Sequence, residues 1–280
     1  MGAVIELKNV TYQYPLTEVP AIKDFSLSIE KGSFWGIIGP NGSGKTTLCA
    51  IMRGFIPSFY KGTLQGEVLV DGKRIDEYAD GEISLRVGYV FQNPDDQIFH
   101  STVYEEVAFG PKMMKLPEEQ QKKQINYALQ ITSLGKYVNE NPYNLPLSIR
   151  KFVTIAAIVA TDCDVMIFDE PTAGQDFIGN KRLAWIIRQL QKKGKTLVTI
   201  SHDMVFVADN FDRVVVMCQK KKLADGTPRE VFWNHAVLDR AMLKQPYVSS
   251  LCKALGVSDS AICMNEAVDA IVAAAGKTGK

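Results

Sequence analysis

Paired cysteines are missing from this sequence. The five present, at positions 49, 163, 218, 252 and 263, are odd in number and never spaced C-x-x-C, which excludes a zinc ribbon and a disulfide framework and points to a reducing cytosol. An excess of either charge is missing too. With 32 basic residues against 31 acidic ones, no overall field draws the chain to nucleic acid or to an anionic membrane, so any such partner must be recognised locally. Long apolar runs are absent: stretches such as residues 153–160 and 214–217 fall far short of the ~20 residues that a membrane-crossing helix needs. The opening MGAVIELKNV carries charge by position 6 and has no apolar centre, so no secretory leader is expected. Internal repeats and low-complexity blocks are also lacking.

What is present is a chain of 280 residues, 46% hydrophobic and 22% charged, long enough to bury a sizeable core and too apolar to be disordered. One main domain with a smaller appendage is expected. Short β-branched runs at residues 4–10, 25–29, 34–38, 67–70, 87–91, 165–168, 196–200 and 214–217 read as strands. They alternate with helical stretches such as 45–53 and 181–192, the pattern of an α/β domain with a mainly parallel sheet, whose ligands sit at the carboxyl ends of the strands. Residues 94–150, rich in Glu, Gln, Lys and Leu, read as a helical insertion. From about residue 219 the chain turns over through Asp225-Gly226-Thr227-Pro228, then carries helical pieces and an Ala-rich tail ending GKTGK, whose small polar end is expected to be partly disordered.

The sharpest signal is Gly39-Pro40-Asn41-Gly42-Ser43-Gly44-Lys45-Thr46, which fits G-x-x-x-x-G-K-[ST] between the apolar run 34–38 and a helix-compatible stretch. Glycines let the backbone wrap closely around phosphate oxygens, with successive N–H groups and the positive end of the helix facing the anion. In such a loop Asn41, Gly42, Ser43 and Gly44 cradle the phosphates, Lys45 reaches the β- and γ-phosphates, Thr46 offers its hydroxyl to Mg²⁺ and Thr47 contacts the α-phosphate. A second GKT, at residues 276–278, has isoleucine at position 271 where the first glycine belongs and no strand before it, so it is rejected.

Three further strand ends carry polar chemistry. The run 165–168 ends in Asp169-Glu170: Asp169 is suited to the Mg²⁺ hydration shell, and Glu170 to polarising the attacking water. His202 follows the run 196–200, within reach of the γ-phosphate or that water. Gln92 follows 87–91, able to join Mg²⁺ or the water to whatever moves outside the site.

Tyr14, the phosphate loop, Gln92, Asp169-Glu170, Ala173-Gly174-Gln175-Asp176 and His202 follow one another as in ABC-type ATPases, and the resemblance spans about residues 3–230. The runs FQNPDDQIF at 91–99 and VAFGP at 107–111 resemble more closely the ATPases of energy-coupling-factor importers for vitamins or transition-metal ions. The resemblance implies a P-loop NTPase core with an N-terminal antiparallel β part and a helical subdomain at about 94–150, within a domain of 1–230, followed by a helical appendage at 231–280. It also implies ATP and Mg²⁺, a second ATPase subunit, a transmembrane coupling subunit and a substrate-binding membrane subunit. The chain would then be peripheral, at the cytoplasmic face of the membrane. Tyr14 would stack on adenine, with Tyr12 as fallback. Residues 95–99 would form a short helix in the groove for the coupling helices, where Asp95 and Asp96 meet arginines.

The chain departs from the family where a Leu-Ser-Gly-Gly-Gln signature belongs. Leu145-Pro146-Leu147-Ser148-Ile149 stands there, and only the leucine matches. Proline has no donor, and Leu147 and Ser148 crowd a surface that should approach phosphate backbone-first. In ABC dimers the signature serves the partner's nucleotide, so the expectation is an asymmetric heterodimer in which this chain's own nucleotide is hydrolysed. Gln175, where the family more often has leucine, is a second departure. A nucleotide-gated regulatory subunit and a soluble ABC ATPase acting on nucleic acid or ribosomes are the competing readings. The latter has no basic stripe or second core behind it.

Overall fold

The computed structural model describes residues 2–79, 81–258 and 260–278. Among the described residues, ten strands form two sheets: β1 (Ala3–Gln13), β2 (Ile22–Glu30), β3 (Phe34–Ile38), β4 (Thr63–Val70), β5 (Lys73–Arg74), β6 (Val87–Val90), β7 (Val165–Asp169), β8 (Thr196–Ile200), β9 (Arg213–Cys218) and β10 (Lys221–Gly226). The first sheet, ordered β2-β1-β4-β5, is antiparallel. The second, ordered β10-β9-β3-β8-β7-β6, is parallel except for β10 at its edge.

The parallel strands β3, β7 and β8, and β6 at the sheet edge, are buried at every position, as parallel strands covered on both faces must be. The period of two divides them between two cores. Phe34, Ile38, Met166, Phe168 and Leu197 face a helical layer that includes Val103–Met113, Leu147–Ala160 and Phe177–Lys192. Trp35, Ile37, Val165, Ile167, Val198 and Ile200 face helix Lys45–Arg53 and the antiparallel sheet, through Ile5, Leu7 and Leu48. Each strand therefore joins both layers, and its carboxyl end emerges between them.

Three differences from the sequence reading have physical causes. Strand β10 occupies residues read only as part of a turn. Its hairpin to β9 turns at Gln219 and Lys220, both at positive φ (49° and 68°), a conformation that Asn-Gly usually announces and these residues do not. The short helix expected at 95–99 is instead a 3₁₀ turn, Pro94–Asp96, capped by the Asn93 side chain, which accepts from the Asp95 N–H at 3.3 Å. Asp95 is also already engaged, 2.7 Å from Arg150 of this same chain.

Past β10, a capping box between Thr227 and Glu230 starts helix Pro228–Phe232, followed by His235–Ala241, Tyr247–Ala254 and Met264–Thr278. The last two helices enclose a small core of Val248, Cys252, Ala261 and Ala267. The second GKT lies at the end of helix Met264–Thr278, with no strand leading into it. Expected disorder at the extreme terminus falls partly on residues 279 and 280, which lie outside the described residues.

Candidate functional site

Residues 39–44 leave the carboxyl end of β3 and enter helix Lys45–Arg53 through Gly44, whose φ of 102° only glycine adopts freely. Gly39 is needed for space: a Cβ there would lie 2.1 Å from the Met217 carbonyl oxygen. Lys45 is buried, and its Nζ donates to the carbonyls of Gly39 (2.9 Å) and Pro40 (3.0 Å), closing the loop into a ring. Burial pulls its ammonium below the ordinary lysine value, while Glu170 and Asp169 partly restore it.

Across the loop, β7 delivers Asp169. One carboxylate oxygen, Oδ2, accepts from the Tyr89 hydroxyl at 2.8 Å, whereas buried Oδ1 has no hydrogen-bond partner among the described residues. Burial raises the Asp169 pKa, and the hydroxyls of Tyr89 and Thr46 and the charge of Lys45 work against that rise. The unmatched carboxylate oxygen and the Thr46 hydroxyl are oxygen ligands of the kind that fits a magnesium ion, which prefers oxygen and few protein contacts.

Glu170 is held at every polar atom. Its Oε2 accepts from Gln92 Nε2 at 2.9 Å, its Oε1 lies 3.2 Å from His202 Nε2, and its N–H donates to the Ile200 carbonyl at 3.1 Å. Its φ is +48°, a left-handed conformation that costs a non-glycine residue about 1–3 kcal/mol and persists only where the surroundings impose it. The sequence-predicted Gln92, Glu170 and His202 thus meet as one cluster, formed by the ends of β6, β7 and β8.

A cleft of about 510 Å³ joins this cluster to the loop and runs to Tyr14, Val19 and Ala21. The Tyr14 hydroxyl is 3.2 Å from Thr47 Oγ1, and its ring lies edge-on to Tyr12 at 4.8 Å. Tyr12 is corrected as a fallback: it is fully buried and donates to the Lys61 carbonyl at 2.9 Å. Sequence reasoning missed Tyr89, Lys151 and Lys220. A lysine on the apolar face of residues 149–160 was a legible signal for Lys151, whereas Lys220 reaches the cleft only because of the β9–β10 hairpin.

The segment Leu145-Pro146-Leu147-Ser148-Ile149 leads into helix Leu147–Ala160. Pro146 stands at its N-cap and supplies no side-chain cap, and Leu147 is 43% exposed. The Gln175 amide donates to the Ser148 carbonyl at 3.1 Å, so the loop before Asp176 touches that segment.

A phosphate loop on a parallel sheet, facing an aspartate and a glutamate from a neighbouring strand, defines a P-loop nucleoside-triphosphate hydrolase. Residues 22–173 match the ABC transporter family, and the chain belongs to that family. It is 37% identical to the energy-coupling factor transporter ATP-binding protein EcfA of Methanocaldococcus jannaschii, over 92% of this chain and 91% of the relative. It is 42% identical to a putative ABC transporter ATP-binding protein of Methanosarcina mazei over 82% of this chain, spanning only 38% of that longer protein. Among solved structures, cbiO1 from Clostridium perfringens, described as part of the ABC transporter complex cbiONQ, superposes with a TM-score of 0.76 at 31% identity, covering 90% of this chain and all of that one. The dimeric ATP-binding cassette MJ0796 bound to ADP and Pi gives 0.71 at 27% identity, covering 80% of this chain and 99% of that one. By this kinship the chain is an ABC-type ATPase of the energy-coupling-factor type, a class that couples ATP hydrolysis to transport. No helix among its described residues is long and apolar enough to cross a membrane.

Proposed function

We propose that this chain is the catalytically competent half of an asymmetric ATPase pair that powers an importer of a vitamin or metal ion. One observation carries the reading: a complete carboxylate cluster for this chain's own nucleotide coexists with a signature helix whose first turn begins on a proline and offers no side-chain cap. The partners are a second ATPase subunit with an intact signature, a transmembrane coupling subunit and a substrate-binding membrane subunit, with this chain peripheral at the cytoplasmic face. The ATPase domain is expected over residues 1–230, and Val231, Phe232, Leu238 and Ala241 of the segment that follows pack into its helical-side core, so that segment is an appendage joined to the domain rather than separate from it.

In the cleft, Tyr14 stacks on adenine, a contact worth about 1–3 kcal/mol for a base on an aromatic ring. The amides of Asn41, Gly42, Ser43 and Gly44 grip the phosphates, Thr47 meets the α-phosphate, and Lys45 exchanges its two carbonyl partners for phosphate oxygens. Thr46, Asp169 and Gln92 would hold Mg²⁺, which would supply charge neutralisation to the phosphates. Glu170 accepts the proton of the attacking water, with Gln92 and His202 orienting its carboxylate and His202 facing the γ-phosphate.

Two copies of this chain would pair both nucleotides with defective signatures. The purified chain alone is therefore expected to bind ATP and turn it over slowly, and adding the second ATPase is expected to raise steady-state turnover about a hundredfold, the worth of one preorganised transition-state donor. Equal turnover by the lone chain and the mixed pair would contradict the asymmetry.

A further inference from the structure

Lys151 lies on the buried face of helix Leu147–Ala160, 5% exposed, and its Nζ donates to the main-chain oxygen of Glu170 at 3.1 Å. Burying an ammonium ion is costly, and an apolar side chain would pack this helix face as well. The cost is moderated by the charges of Asp169 and Glu170, which oppose the effect of burial on the lysine. The oxygen it holds has a particular place. Pro171 follows Glu170, so the peptide between them has no N–H, and its carbonyl is the one hydrogen-bonding group by which that plane can be held. The Ala173 N–H also donates to this oxygen, at 3.2 Å, closing the turn from one side while Lys151 closes it from the helix.

We infer that Lys151 is a positioning residue: it locks the Glu170–Pro171 peptide, so that the strained backbone at Glu170 presents its carboxylate to the attacking water between Gln92 and His202. The inference rests on the reading of Glu170 as the proton acceptor. It also gives the altered signature helix a task in this chain's own site, because Lys151 lies one turn beyond Leu147, the helix's first residue.

The test uses the complex of this chain with its ATPase partner and membrane subunits, carrying Lys151→Met, Lys151→Gln or, as a control, Glu170→Gln. Methionine matches the length of the lysine stem and suits a buried helix face, while glutamine keeps an N–H donor. Lys151→Met is expected to lower kcat by about ten- to a hundredfold, as misplacing a reacting group does. KM for ATP and nucleotide retention should stay within about twofold, with part of kcat restored in Lys151→Gln. A kcat for Lys151→Met within about twofold of the unmodified complex would overturn the inference, as would a parallel loss of kcat and nucleotide retention in both variants, the mark of a structural prop. Unimpaired turnover in the Glu170→Gln control would remove the reading of Glu170 itself, and the inference with it, whatever the Lys151 variants do.

Discussion

Glu170→Gln in the assembled complex is expected to lower ATP turnover by about 10²–10⁴-fold, the usual worth of a positioned general base, while nucleotide retention is preserved. Glutamine keeps the size of the side chain and remains within reach of Gln92 and His202, so the cluster of Glu170 with its neighbours at 2.9 and 3.2 Å need not collapse. What is lost is the capacity to take a proton from water. Solute uptake should stop with hydrolysis. Uptake that persists with turnover lost would instead favour a nucleotide-gated regulatory subunit, and turnover within about tenfold of the original would contradict the assignment of Glu170.

Restoring the signature should have an effect of similar size in the opposite direction. The triple change Pro146→Ser, Leu147→Gly and Ser148→Gly is expected to raise the turnover of this chain, studied alone, by about a hundredfold, because each copy then offers its neighbour a hydroxyl and an unobstructed backbone. The serine would also cap helix Leu147–Ala160, which now begins on Pro146 without a side-chain cap, adding about 1 kcal/mol. Glycines in the first turn take back a comparable amount each, so a modest fall in thermal stability is expected beside the gain in rate. Leu147 lies at the surface, 43% exposed, so its loss opens no enclosed cavity. Unchanged turnover in a variant that still pairs on ATP would show that residues 146–148 are not what limits the lone chain.

The phosphate loop and the strand ends were legible because their chemistry needs particular residues at particular spacings. Gly39 and Gly44 have to be glycine, one for space against Met217 and one for its positive φ, and Gln92, Asp169-Glu170 and His202 each come just after a strand, β6, β7 or β8, that is buried along its apolar length. Contacts set by tertiary packing were not legible. Nothing local reveals that the Tyr89 hydroxyl reaches Asp169 across 80 positions of sequence, or that Asp95 spends its charge on Arg150. The same holds for Tyr12 and Tyr14, two residues apart on β1: the sequence offers both rings, and only the fold buries one and leaves the other in the cleft. Strand β10 stayed hidden because an edge strand with a Gln-Lys turn has neither strict alternation nor a glycine at its hairpin.

The central claim is that main-chain amides at residues 39–46 and the Lys45 ammonium grip a triphosphate. Equilibrium dialysis of the purified chain against ATP with magnesium, repeated with Lys45→Ala, tests it most directly. The account predicts saturable retention of one ATP per chain, weakened at least about tenfold in the variant, as losing a charge-assisted hydrogen bond worth about 1.5–3 kcal/mol requires. Absence of retention even with the second ATPase subunit present, or equal retention by Lys45→Ala, would contradict it.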